Sequence, residues 1–162
     1  MNIPNLLSIS RILLSFIFLL FITYPKLALI IFSIAALTDY FDGYLARKLN
    51  QQTKLGMILD PAADKILVLT AIFSLLVLYK LPYWYLLILI RDVNNILVLP
   101  LLSKFKQKPK KLPLSPTSVS KLTTLFQKVS IIFILLNYHH LTFIVITIIL
   151  SFISAVDYNS KI

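Results

Sequence analysis

Residues 39–64 read DYFDGYLARKLNQQTKLGMILDPAAD, and this run decides how the rest of the chain is read. It holds Asp39, Asp42, Asp60 and Asp64, four of only six acidic residues in the chain, with no Glu anywhere. Long apolar runs lie on both sides of it. An Asp at the middle of a membrane helix costs roughly 2.5–3.5 kcal/mol, so such groups are kept where they pair, bind ions or do chemistry. Asp39 and Asp42 stand at i, i+3 and share one helical face; Asp60 and Asp64 stand at i, i+4 and share a face of the next helix. The short connection predicts that the two helices are antiparallel neighbours, with both pairs at one membrane end. Four convergent carboxylates repel one another unless a cation intervenes. They are hard oxygen ligands suited to Mg²⁺ or Mn²⁺. Two ions about 3.5–4 Å apart would suit phosphoryl chemistry. For any single Asp, a helix cap or a pair with Arg47, Lys48 or Lys65 is the simpler reading, and Asp60-Pro61 looks like a helix start.

Small residues are interleaved with these acids. Gly43, Ala46 and Gly56 let a bulky ligand or a neighbouring helix come close to the backbone. Arg47, one turn after Gly43, offers a planar fork for a diphosphate.

Composition agrees with a bilayer as solvent. Of 162 residues, 59% are hydrophobic and 14% charged, against the quarter usual in soluble domains, and Cys is absent. The lack of Cys excludes disulfides and cysteine-ligated metal sites. Six spans are predicted, at Leu6–Tyr24, Leu27–Arg47, Leu55–Tyr79, Pro82–Leu102, Val119–Asn137 and Leu141–Val156, each near the ~20 residues that cross the hydrocarbon core. The expected fold is an all-α integral membrane bundle of six transmembrane helices in a single domain over residues 1–162, with a polar, metal-binding cavity at the cytoplasmic side. The first run is expected to be a retained helix, because no small-residue cleavage site follows Phe21.

The net charge of +10 would suggest nucleic acid in a soluble protein, but here Lys and Arg cluster between apolar runs. No nucleic-acid partner is expected. Arg47, Lys48 and Lys54 lie on one side with Lys104, Lys106, Lys108, Lys110, Lys111 and Lys161. Lys26 and Lys80 lie on the other. The positive-inside rule then places both termini on the cytoplasmic or matrix side, and Tyr83, Trp84 and Tyr85 at the far interface. The Lys-rich stretch Ser103 to Pro116, broken by Pro109, Pro113 and Pro116, reads as a topology-setting loop or as a surface that gathers anionic lipid.

Residues 39–64 resemble the signature of the CDP-alcohol phosphatidyltransferase family, D-x-x-D-G-x-x-A-R-x8-G-x3-D-x3-D, at every specified position. The six-span pattern extends the likeness to nearly the whole chain. The resemblance implies transfer of a phosphatidyl group from CDP-diacylglycerol to an alcohol, with CMP leaving. It implies that Asp39, Asp42, Asp60 and Asp64 hold two divalent ions, Mg²⁺ or Mn²⁺, and that Asp64 is the general base. It places Asn5, Gly43, Ala46, Arg47 and Gly56 around the CDP group. It further implies a homodimer in the bacterial cytoplasmic or mitochondrial inner membrane.

Four further stretches bear on the acceptor. Asn2-Ile3-Pro4-Asn5-Leu6-Leu7 with Arg11 resembles the opening shared by phosphatidylglycerophosphate synthases and cardiolipin synthases, and Asp60-Pro61-Ala62-Ala63-Asp64-Lys65 resembles a segment of the same two groups. Arg91-Asp92-Val93 and the run from Pro116 to Gln127 resemble the cardiolipin side. The uncharged stretch Leu97 to Leu102 also disfavours a small dianion, which wants several cations. Phosphatidylglycerol is therefore the expected acceptor, with glycerol 3-phosphate as the alternative. Arg91 and Lys121 are the candidates for the acceptor's phosphate. Arg91 beside Asp92 is alternatively a structural ion pair, and Lys121 an interfacial anchor. His139 and His140 are expected on an exposed far-side loop, without a role.

Two other classes use similar features. A membrane prenyltransferase also has Asp-rich motifs, but it lacks the G-x-x-A-R and second-Gly pattern and releases diphosphate. A cation transporter would carry polar residues through the whole bundle, whereas here the acids sit at one face.

Overall fold

A computed structural model of the chain describes residues 3–48, 54–95, 118–138 and 140–160, and every regular element among them is helical. In order these are α1 (Ile3–Phe21), α2 (Pro25–Lys48), α3 (Lys54–Leu78), a 3-10 helix (Tyr83–Leu89), α4 (Ile90–Val93), α5 (Ser118–Leu135) and α6 (His140–Ser160). By length and apolar composition, Leu59–Leu78 of α3, all of α5 and all of α6 can each cross a bilayer, and Leu6–Phe21 is a shorter apolar helix. The protein is thus a helical membrane protein. The Lys-rich stretch 103–116 and the segment 97–102 lie outside the described residues.

The helices fall into two compact units: Met1–Pro82 with Ile134–Tyr138, and Tyr83–Phe133 with His139–Ile162. In the first, α1 packs along both α2 and α3, while α2 and α3 touch only locally. The two acidic helices do touch, as the short connection predicts, but among the described residues each packs more extensively on α1. The reason is legible in the buried residues. Ser8, Arg11, Ser15, Phe18 and Ile22 form a stripe at alternating three- and four-residue spacing. The buried residues of the helices it packs on include Ala28, Phe32 and Ala35 of α2, and Ala63, Leu67, Ala71 and Leu75 of α3. The alanines allow close helix approach, and Phe18 packs against Phe32 with ring centroids 5.8 Å apart. The outward residues are equally apolar, among them Leu13, Phe16, Leu20, Ile30, Ile34, Phe73 and Val77, as a lipid-facing surface requires.

Turn chemistry ends these helices conventionally, with one exception. Pro25 opens α2, where its missing N–H is not needed. After α5, Asn137 takes a positive φ of 52°, a conformation Asn tolerates well. Lys80, after α3, takes φ 50° with a side chain that does not favour it. Pro61 lies inside α3, seven residues past its start, so Asp60 does not cap that helix. A proline at this depth leaves the carbonyl one turn earlier without its usual partner.

In the second unit the chain enters as the seven-residue 3-10 helix and only then becomes α-helical. The poorer hydrogen bonding of a 3-10 helix is compensated from outside. The Ile88 carbonyl accepts bonds from Gln127 Nε2 at 2.9 Å and Ser151 Oγ at 2.8 Å. A polar seam joins α5 to α6: Ser130 Oγ and Thr147 Oγ1 lie 2.8 Å apart, and Tyr158 Oη donates to Ser120 Oγ at 3.3 Å. Such inter-helix bonds replace the hydrophobic drive that lipid cannot supply. Tyr83 and Trp84 are exposed, but Tyr85 turns inward. His140 opens α6 half-buried, with its ring centroid 6.4 Å from that of Tyr85, and so is not on an exposed loop.

Candidate active site

The acids extend the packing stripes of their helices. Asp39 follows Ala28, Phe32 and Ala35 at helical spacing on α2, and Asp60 follows the buried Gly56 and precedes Ala63 on α3. Both stripes face α1, and α1 answers with polar groups at the matching level. Arg11 Nη1 lies 3.1 Å from Asp39 Oδ1, with the arginine side chain fully buried and that of Asp39 35% exposed. One turn earlier on the same face, the Ser8 hydroxyl donates to Asp60 Oδ1. Asp64 stands one turn beyond Asp60 on α3, half-buried. Three of the four expected acids are therefore described, and two of them are held by one face of α1.

Asp42, Gly43, Ala46 and Arg47 continue α2, and Asn5 belongs to the first turns of α1, but their side chains lie outside the described residues. Gly56 is buried within α3. Among the described residues no three carboxylates converge closely enough to hold a metal by themselves. The donor set nevertheless fits a hard divalent cation. Asp39, Asp60 and Asp64 belong to one three-helix unit, all are carboxylates, and Asp39 keeps part of its surface accessible.

Ser8 and Arg11 are the site residues that sequence reasoning missed. Arg11 entered only as part of an opening motif. Its signal was available: it is the sole charged residue of the nineteen in α1, and an intramembrane charge marks a functional site by default.

The second unit holds further buried charges, Arg91, Asp92 and Lys128 among them. Arg91 and Asp92 are each 5% exposed and form an ion pair of 2.8 Å between Arg91 Nη2 and Asp92 Oδ1. Arg91 Nη1 donates to the Ser120 carbonyl at 2.6 Å and to Thr124 Oγ1 at 2.8 Å, and Nη2 also donates to Gln127 Oε1 at 3.3 Å. Gln127 Nε2 closes the ring on Asp92 Oδ2 at 2.9 Å. The ion pair left open by the sequence is thus formed, and both terminal nitrogens of Arg91 are engaged by protein. Lys121, next to the anchored Ser120 in the first turn of α5, is exposed.

The described site is a helical scaffold in which one face of α1 meets Asp39 with a buried arginine and Asp60 with a serine. The sequence model of the CDP-alcohol phosphatidyltransferase family matches residues 1–154, and the chain belongs to that family. It is an enzyme, a transferase of phospholipid biosynthesis, and members of the family are generally dependent on a divalent metal. A CDP-diacylglycerol–glycerol-3-phosphate 3-phosphatidyltransferase of Aquifex aeolicus is 37% identical over 177 aligned residues, covering 99% of this chain and 96% of that protein. One of the same name from Wigglesworthia glossinidia brevipalpis is 34% identical over 170 residues, covering 98% and 93%. The Escherichia coli K12 protein of that name is 46% identical over 89 residues, covering 52% and 48%.

Proposed function

We propose that this enzyme joins CDP-diacylglycerol to glycerol 3-phosphate, forming phosphatidylglycerophosphate and CMP. The observation that carries the choice is near full-length similarity to two enzymes named for that acceptor. It outweighs the first expectation of phosphatidylglycerol, which rested on two short segments and on the uncharged stretch Leu97 to Leu102. One of those, Arg91-Asp92-Val93, supplies a buried ion pair whose packing role accounts for it without reference to the acceptor.

The mechanism follows from carboxylate chemistry. Asp39, Asp42, Asp60 and Asp64 would hold a divalent cation, Mg²⁺ or Mn²⁺ and two ions in number, which would supply neutralisation of phosphate charge and stabilisation of the departing CMP. Asp64 takes the proton of the acceptor hydroxyl, because an alcohol is a poor nucleophile at neutral pH. The acceptor oxygen bonds to the phosphorus that bears the diacylglycerol, and the bridging P–O bond breaks with both electrons going to CMP. Asn5, Gly43, Ala46, Arg47 and Gly56 surround the CDP group. Lys121 meets the acceptor's phosphate, and Arg91 acts by fixing the turn of α5 that presents it. Six helical segments span the bilayer, with the termini and the carboxylates on the cytoplasmic side.

The test offers purified protein CDP-diacylglycerol, Mg²⁺ and both acceptors at equal concentration, and reads the lipid product by mass. Phosphatidylglycerophosphate is expected. Cardiolipin as the sole product would return the assignment to phosphatidylglycerol.

A further inference from the structure

We propose that Arg11 is an internal counter-ion that competes with the metal for Asp39. Its guanidinium neutralises the carboxylate in the metal-free enzyme and yields it when a divalent cation enters. This rests on the reading of the four Asp residues as metal ligands, and goes beyond it by giving α1 a part in metal exchange.

The argument starts from charge. Arg11 is fully buried in a helix that is otherwise uncharged, a placement that is costly without an anionic partner. A partner is Asp39, one of the acids read as metal ligands, at 3.1 Å. An oxygen engaged by a guanidinium is a poorer ligand, and a fixed positive charge beside a dication repels it. Arg11 therefore works against metal affinity. What it supplies in return is cohesion: without metal, carboxylates gathered in a low-dielectric bundle repel one another, and the arginine offsets this. Ser8 provides the contrast. It holds Asp60 from the same face of α1, but as a neutral donor that leaves the full negative charge for the metal. The two contacts split the work. Asp60 keeps its charge, while Asp39 is masked until the cation arrives.

The experiment is Mn²⁺ titration of the full-length protein in detergent, without lipid substrate, following the free-ion electron paramagnetic resonance signal. It compares wild type, Arg11→Met, Arg11→Gln and Ser8→Ala. Removing the charge is expected to tighten Mn²⁺ binding about tenfold. Metal-free thermal stability should fall, so that the stabilisation on adding Mn²⁺ grows. Ser8→Ala should not tighten binding. Unchanged affinity in both Arg11 variants would reduce Arg11 to a packing residue and overturn the proposal. Weaker binding would make it a positioning group for Asp39 and overturn it equally. Arg11→Gln, which retains hydrogen-bonding capacity, decides the matter if Arg11→Met does not fold. Failure of the wild type to bind Mn²⁺ would overturn the metal reading itself, whereas binding that Arg11 substitution leaves unaltered overturns only the counter-ion.

Discussion

Asp64→Asn is expected to lower the turnover of CDP-diacylglycerol by a factor of about 10²–10⁴, the usual contribution of a positioned general base. Asp64 sits half-buried on α3, one turn beyond Asp60 and beside the fully buried Ala63. Asn keeps the size of the side chain and most of its hydrogen bonding but cannot take a proton. The loss should therefore appear in kcat at saturating substrates, with a thermal midpoint close to that of the wild type. Measuring CMP release under those conditions separates the roles. A turnover near that of the wild type would place the base elsewhere, and a large fall in thermal midpoint would make Asp64 a structural group.

Arg91→Met is expected to cost about 3–5 kcal/mol of stability, because it strands a buried Asp92. The thermal midpoint in detergent should fall by roughly 10 °C. The damage reaches past one ion pair, since the same guanidinium ties α4 to the first turns of α5 through the Ser120 carbonyl and Thr124. Replacing both partners, as Arg91→Met with Asp92→Leu, should recover much of the loss, since an apolar pair of similar volume leaves no unpaired charge. If the single substitution were neutral in stability yet raised KM for glycerol 3-phosphate, Arg91 would belong to the acceptor site directly.

Arg11 and Arg91 show what the sequence disclosed and what it did not. The helical class, the placement of α1, α2, α3, α5 and α6 and the acidic run were legible, because hydropathy and i, i+3 and i, i+4 spacing are local properties. The packing of α1 along both α2 and α3 was not. It depends on which apolar stripes interdigitate, and in a membrane helix the lipid-facing side is as apolar as the packed one. Ser8, Arg11 and Ser15 were the clue, since polar groups on one face of an apolar helix mark the side turned inward. The 3-10 entry into α4 was likewise hidden. It is sustained by Gln127 and Ser151, residues far along the chain whose bonds to Ile88 no local window contains. The comparisons favour the alternative acceptor over the first expectation, and one of the segments behind that expectation, Arg91-Asp92, has a packing role that accounts for it. Similarity over the whole chain carries more weight than a dipeptide.

If the carboxylates of α2 and α3 form one metal-dependent site for transfer from CDP-diacylglycerol to glycerol 3-phosphate, metal and acceptor are both required for CMP to leave. The most direct measurement is CMP release by the purified wild-type protein in a two-by-two design, with Mg²⁺ or chelator and with glycerol 3-phosphate present or omitted. CMP should appear only when metal and acceptor are both present, matched mole for mole by phosphatidylglycerophosphate. Release that persists in chelator, or metal-dependent release indifferent to glycerol 3-phosphate, would contradict the account.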